Sequence, residues 1–154
     1  MPMSAADLDR FDAAILRILS TEGRISVTDL AGRIGLTKSP TQARLKRLED
    51  NGVITGYRAT TDPIRVGLAH VAFVEVRLTD TREKALSAFN AAVREVPEIE
   101  QCHMIAGAFD YLLKIRTRDM QGYRGLLGEV VTSLPHVNST STHVSMQSVK
   151  DLAY

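Results

Sequence analysis

The chain has 154 residues, with 19 Lys/Arg against 18 Asp/Glu, 44% apolar residues and one cysteine. That length holds one ordinary domain or two small ones, and the composition is that of a folded globular protein, not a disordered one. A lone Cys102 excludes a disulfide within the chain, no apolar run approaches a membrane span, and "MPMSAADLDRFD" lacks a signal-peptide pattern, so the expected location is the cytoplasm.

Overall charge is nearly balanced, but its distribution is not. Residues 1–60 carry nine Lys/Arg against seven Asp/Glu, and residues 61–154 carry ten against eleven. This bias is too mild to argue for nucleic acid by itself. The placement of the charges has to decide.

Asp9 followed by Asp12 predicts a helix N-cap with an acid at the third position. Leu8, Phe11, Ile15 and Ile18 then recur at helical spacing until Gly23. Ser26 with Asp29 repeats the capping pattern ahead of Val27, Leu30 and Ile34, and Gly35 ends that second helix. Thr37 caps a third, with Pro40 in the first turn, where a missing N–H costs nothing. Two short helices joined through Gly35 and Leu36 form a helix-turn-helix arrangement. "NGVITGYRAT" then predicts a small hairpin or wing.

The third helix has a divided surface. With Thr41 at zero and 100° per residue, Leu45 falls at about 40° and Leu48 at about 340°, which defines a buried seam. Ser39, Gln42, Ala43, Lys46 and Arg47 face outward, flanked by Lys38 and Arg44. Short and amide side chains suit base edges in a major groove, and cations further along suit phosphates. Solvation of an ordinary surface helix would explain the cations too. The capped helix, tight turn and wing beside it favour DNA.

"TTDPIRVGLAH" marks a linker over 60–69, after a DNA-binding domain of residues 1–59. From His70 to Tyr154 the pattern is regular. "HVAFVEVRLT" predicts a strand, Asp80 to Val96 a helix, "IEQCHMIAG" and "FDYLLKIRT" two strands, Asp119 to Leu134 a helix and "VNSTSTHVSM" a last strand. This β-α-β-β-α-β order is the ferredoxin-like split unit, so the fold class is α+β. Both helices cover one sheet face. Val71 and Phe73 opposite Ala72 and Val74, and Leu112 beside Leu113, make the other face apolar as well. A second copy is the simplest cover.

"LDRFDAAILRILSTEGRIS", "GLTKSPTQARLKRLEDNGVITGYRA" and "GAFDYLLKI", in this order, resemble the Lrp/AsnC (feast/famine) transcriptional regulators over essentially the whole chain. The resemblance implies binding to double-stranded DNA, homodimers that often assemble into octamers or larger rings, and a small effector, usually an amino acid. Within that family "DTREKALSAFNAAV", "EQCHMIA" and "FDYLLKIRTRD" are similar to activators of proline dehydrogenase from α-proteobacteria. That implies proline as effector and control of proline catabolism.

The family's effector site corresponds here to Gly107, Phe109, Asp110 and Tyr111, with Thr140 and Thr142 of the hydroxyl run 139–142 nearby. Asp110 could pair with an ammonium group. It could equally make a local hairpin hydrogen bond. For the Ser/Thr run a solvated β-prone strand is the stronger reading.

No cofactor, metal or catalytic residue is expected. Cys102 and His103 are strand neighbours that point to opposite faces. His70, His136 and His143 lack ligand spacing, and no P-loop, G-x-S-x-G or H-E-x-x-H occurs. Two alternatives to a regulator are an enzyme similar to sirohaem decarboxylases, which resemble the same two-domain architecture, and an amino-acid sensor module without DNA binding.

Overall fold

The structure is a computed structural model that describes residues 7–151; the outermost residues of the two expected domains, 1–6 and 152–154, lie outside it. Contacts divide the chain into two units, with the break between Thr60 and Thr61.

In the first unit three helices follow one another: α1 (Arg10–Leu19), α2 (Val27–Ile34) and α3 (Lys38–Asp50). The cap of α1 is reciprocal. Asp9 Oδ1 accepts the N–H groups of Phe11 and Asp12 at 2.8 and 3.0 Å, and Asp12 Oδ2 accepts the Asp9 N–H at 3.1 Å. Ser26 Oγ accepts the Asp29 N–H at 3.1 Å to open α2. Gly35 closes α2 at φ 73°, a left-handed conformation that strains any residue with a Cβ. Thr37 stands at the N-cap of α3, but its side chain makes no capping bond. The Thr41 hydroxyl instead donates to the Thr37 carbonyl at 2.9 Å.

Ile15, Leu30 and Leu48, one from each helix, are buried at the centre of this unit. Val53 and Ile54 pack against the same cluster, and both of their N–H groups donate to the Leu48 carbonyl. Of the expected hairpin or wing, the paired strands do not form: residues 51–60 contain no strand. Strand segments this short do not hold a two-stranded ribbon on their own. Burying Val53 and Ile54 while satisfying the end of α3 is the stronger use of the segment.

The second unit contains β1 (His70–Leu78), α4 (Glu83–Arg94), β2 (Ile99–Met104), β3 (Tyr111–Thr117), α5 (Met120–Glu129) and β4 (Val137–Val144). All pairings are antiparallel, in the order β2-β3-β1-β4. Both helices come out shorter than expected. Asp80 accepts the Arg82 N–H at 2.9 Å, a turn that delays α4 to Glu83. The Arg82 guanidinium and N–H together bring the Asp80 carboxyl down to about 2. α5 carries Gly122, Gly125 and Gly128, each costly in a helix interior, and gives way to a 3-10 turn at Val131–Ser133.

One sheet face packs on the helices. Ala72, Val74, Val76, Leu113 and Ile115 have no exposed surface, and Phe89 of α4 meets Tyr111 of β3 at 4.5 Å between ring centroids. Cys102 packs into the same core while His103 is exposed. The opposite face is more polar than its sequence suggested. Val71, Phe73 and Leu112 lie beside Glu75, paired with His143 at 3.2 Å, and beside Lys114, whose Nζ meets Asp151 at 2.6 Å. Arg116 adds ion pairs to Glu100 and Asp151.

Phe89 is fully buried at the meeting point of α4 and the sheet. Replacing it by Ala should cost the second unit ~3–5 kcal/mol, read as a lowered urea midpoint with an unchanged slope.

Candidate DNA interface and effector site

Helix α3 is held by its seam. Thr41 and Leu48 are fully buried and Leu45 is partly buried against the three-helix core. The outward set predicted from the sequence is exposed in the structure: Lys38, Ser39, Gln42, Ala43, Lys46 and Arg47 all face solvent. Short and amide groups occupy the N-terminal two turns. The cations Lys46 and Arg47 follow.

The cations differ in their surroundings. Lys38 has no ion-pair partner among the described residues. Lys46 Nζ lies 2.8 Å from Asp50 Oδ2, one turn on, and both side chains are well exposed. That pairing raises the Lys46 pKa through the hydrogen bond first and the charge second. Exposed i,i+4 pairs of this kind exchange freely with other partners.

Arg44 and Arg47 are tied to α1. Arg44 Nη1 donates to Asp9 Oδ2 at 2.7 Å and to Asp12 Oδ1 at 2.9 Å, and its guanidinium lies 5.2 Å from the Phe11 ring centroid. Arg47 Nη2 donates to Asp12 Oδ2 at 2.6 Å. Asp12 has no exposed surface at all. The Asp9 carboxyl is held below its usual value, first by the Asp12 N–H and then by Arg44.

Arg44, expected on the flank of the DNA-facing surface, thus faces α1. Its position at about 300° lies close to the seam residue Leu48. There the nearest polar groups are the two carboxylates that open α1. Asp12 was legible in the sequence only as the third residue of a capping box. Its role as the partner of two arginines 32 and 35 positions away had no sequence signal.

Of the residues of the expected effector site, Asp110 lies at the end of β1 near Leu78. Asp110 bridges strands: its N–H donates to Val76 O at 2.9 Å, and its Oδ2 accepts the Leu78 N–H at 2.7 Å. Gly107 is exposed in the connection between β2 and β3, where an added Cβ would meet only Ile105 at 3.6 Å. Phe109 is half-buried.

Tyr111 is not part of an open turn. It lies opposite Val76 in the antiparallel register, which turns its ring to the helix side, and it is 2% exposed. Burial pushes its phenol up; the Asn90 side chain is a weak polar neighbour, and no hydrogen bond of full geometry reaches the hydroxyl. Thr140 flanks Val76 on its other side, so it and Tyr111 stand two strand spacings, about 10 Å, apart. Thr142 is already engaged, its hydroxyl 2.5 Å from Tyr123 OH.

Comparison with known proteins matches both units. Residues 8–55 match the winged helix-turn-helix DNA-binding family, and residues 71–153 match the Lrp/AsnC ligand binding domain. The proline dehydrogenase transcriptional activator of Rhizobium radiobacter is 60% identical over 145 residues, covering 94% of this chain and 93% of that protein. The protein of the same name from Rhodobacter capsulatus is 56% identical, covering 92% of each. Among solved structures, a Neisseria meningitidis transcriptional regulator in complex with L-Met superposes with a TM-score of 0.88 at 32% identity, over 94% of each chain. A three-helix unit with its third helix laid open, joined to a four-stranded α+β unit and matched along almost its whole length, places this chain in the Lrp/AsnC family of ligand-responsive, DNA-binding transcriptional regulators.

Proposed function

We propose that the chain reads duplex DNA with α3, takes proline as its effector, and controls genes of proline catabolism in the cytoplasm without catalytic activity of its own. The outward face of α3 carries this reading. Ser39, Gln42 and Ala43 would meet base edges, and Lys38, Lys46 and Arg47 would meet phosphates. The names of the Rhizobium and Rhodobacter relatives support proline, and the methionine complex of the Neisseria regulator supports an amino-acid ligand in this family. Among the described residues no helix is long and apolar enough to cross a membrane.

A homodimer, assembling further to an octamer, would present recognition helices in pairs to half-sites separated by whole turns of DNA. The effector would bind at the sheet end, against Gly107, Phe109, Asp110 and Thr140. Tyr111 would support that site from beneath, where core packing holds it, and Thr142 would stand at its edge, held by Tyr123. Proline bound there would favour one assembly over another and so change which helices dock together.

Lys38→Ala and Lys46→Ala should each weaken binding to every duplex alike and flatten the salt dependence, log K against log salt, by about 0.9 for each phosphate that is no longer neutralised. An unchanged slope would remove that lysine from the interface. Gln42→Ala should instead alter preference at one base pair by about 1–3 kcal/mol, measured by comparing duplexes that differ there. Fluorescence anisotropy with the DNA upstream of a proline-catabolism gene, with and without proline across a salt series, tests the effector. Selective binding that shifts in affinity or stoichiometry with proline is the expected result. Selective binding indifferent to proline would discard proline and leave the regulator.

A further inference from the structure

The outward face of α3 does not account for Asp12, a fully buried carboxylate on a different helix. We propose that Asp12 is a positioning residue for DNA recognition: from α1 it aims the Arg47 guanidinium of α3, with Arg44 fixed beside it as a bolt. The inference rests on α3 being the DNA-contacting helix.

Three donors converge on this carboxylate. Arg47 Nη2 and the Asp9 N–H share Oδ2, at 2.6 and 3.1 Å, and Arg44 Nη1 takes Oδ1 at 2.9 Å. A carboxylate with no access to water cannot replace a missing partner by hydration. Its hold on each arginine is therefore firm, and the direction of each guanidinium is set by the place where α1 crosses α3.

The two arginines then divide the work. Arg44 also meets Asp9 and stacks on Phe11, and its side chain keeps only 25% of its exposure. With two acids on it, Arg44 has little charge left to offer DNA. Arg47 is 45% exposed and gives one nitrogen to Asp12. The planar fork of a guanidinium has five N–H donors in fixed relation, so tethering one end orients the rest. A side chain already held in one direction loses less freedom when it docks. Lys46 has no such guide; its partner Asp50 is itself 59% exposed.

A point charge and an aimed fork behave differently on DNA. A point charge attracts any phosphate, and an aimed fork rewards one backbone geometry. Asp12 should therefore contribute to selectivity more than to general affinity.

The test uses the full chain, a duplex selected by the wild-type protein from a random pool, and a scrambled duplex of equal length. Anisotropy gives Kd for Asp12→Asn, Arg47→Lys, Arg47→Gln and the double variant Asp12→Asn/Arg47→Gln, with circular dichroism as the check of folding. Arg47→Lys keeps the charge on an exposed site and loses the fork. It should lose about tenfold on the selected duplex and stay within about twofold on the scrambled one. Folded Asp12→Asn should do the same, and the double variant should bind no more weakly than Arg47→Gln alone. Arg47→Lys binding like wild type overturns the proposal, whatever Asp12→Asn does to folding. So does an Asp12→Asn loss shared equally by both duplexes, or a double variant whose losses multiply. A wild-type protein that selects no duplex would sink the DNA reading itself, together with this inference. A selective wild type with an indifferent Arg47→Lys sinks the positioning role alone.

Discussion

A carboxylate cut off from water must be met by donors or give up its charge. Asp12 is in that position. The donors it finds belong to two helices, the Asp9 N–H at the start of α1 and two guanidiniums from the middle of α3. Ile15, Leu30 and Leu48 bring the three helices together by burial alone, which is non-directional and tolerates sliding. The carboxylate does not tolerate it. A shift of α1 along α3 by a fraction of a turn would leave charges unpaired, so this interaction fixes the register of α1 on α3, while the apolar seam turns the outward face of α3 to solvent. Asp12 is buried, but Arg44 and Arg47 keep 25% and 45% of their side-chain exposure, so losing one arginine should cost less than breaking a fully buried pair.

The ligand-binding unit has a corresponding constraint in its central strand. β1 pairs with β3 on one side and β4 on the other, so the residues along β1 each place a partner on both neighbours. Val76 puts Tyr111 and Thr140 on the helix side. Asp110 closes the same end, using its backbone on Val76 and its carboxylate on Leu78. That carboxylate oxygen supports the turn before it can serve any ligand. The two readings of Asp110, ligand partner and hairpin anchor, are thus not exclusive, and the anchor is the one whose partner the fold itself supplies.

Much of this was legible in residue order. The caps at Asp9 and Ser26, the stop at Gly35, the seam Thr41-Leu45-Leu48 and the exposed set Ser39 to Arg47 all follow from local periodicity and side-chain chemistry. So does the β-α-β-β-α-β order. The segment after Gly52 forms no strand pair, although β-branched Val53 and Ile54 suit a strand by propensity, because the open core of the three helices offered them burial. The ends of α4 and α5 were overrun because apolar spacing continues past the residues at which Asp80 and the glycines interrupt the backbone.

The chain's local chemistry by itself determined which segments are helix or strand, which face of each is apolar, and that α3 carries amide and cationic groups outward. Periodicity is written within a few turns, so it can be read there. Tertiary structure alone decided that Arg44 turns inward, that Arg47 is tethered, and that Tyr111 sits under the helices while Asp110 spans two strands. Each of those outcomes joins residues about thirty positions apart, and an ion pair or a strand register at that separation depends on packing geometry that no local pattern encodes.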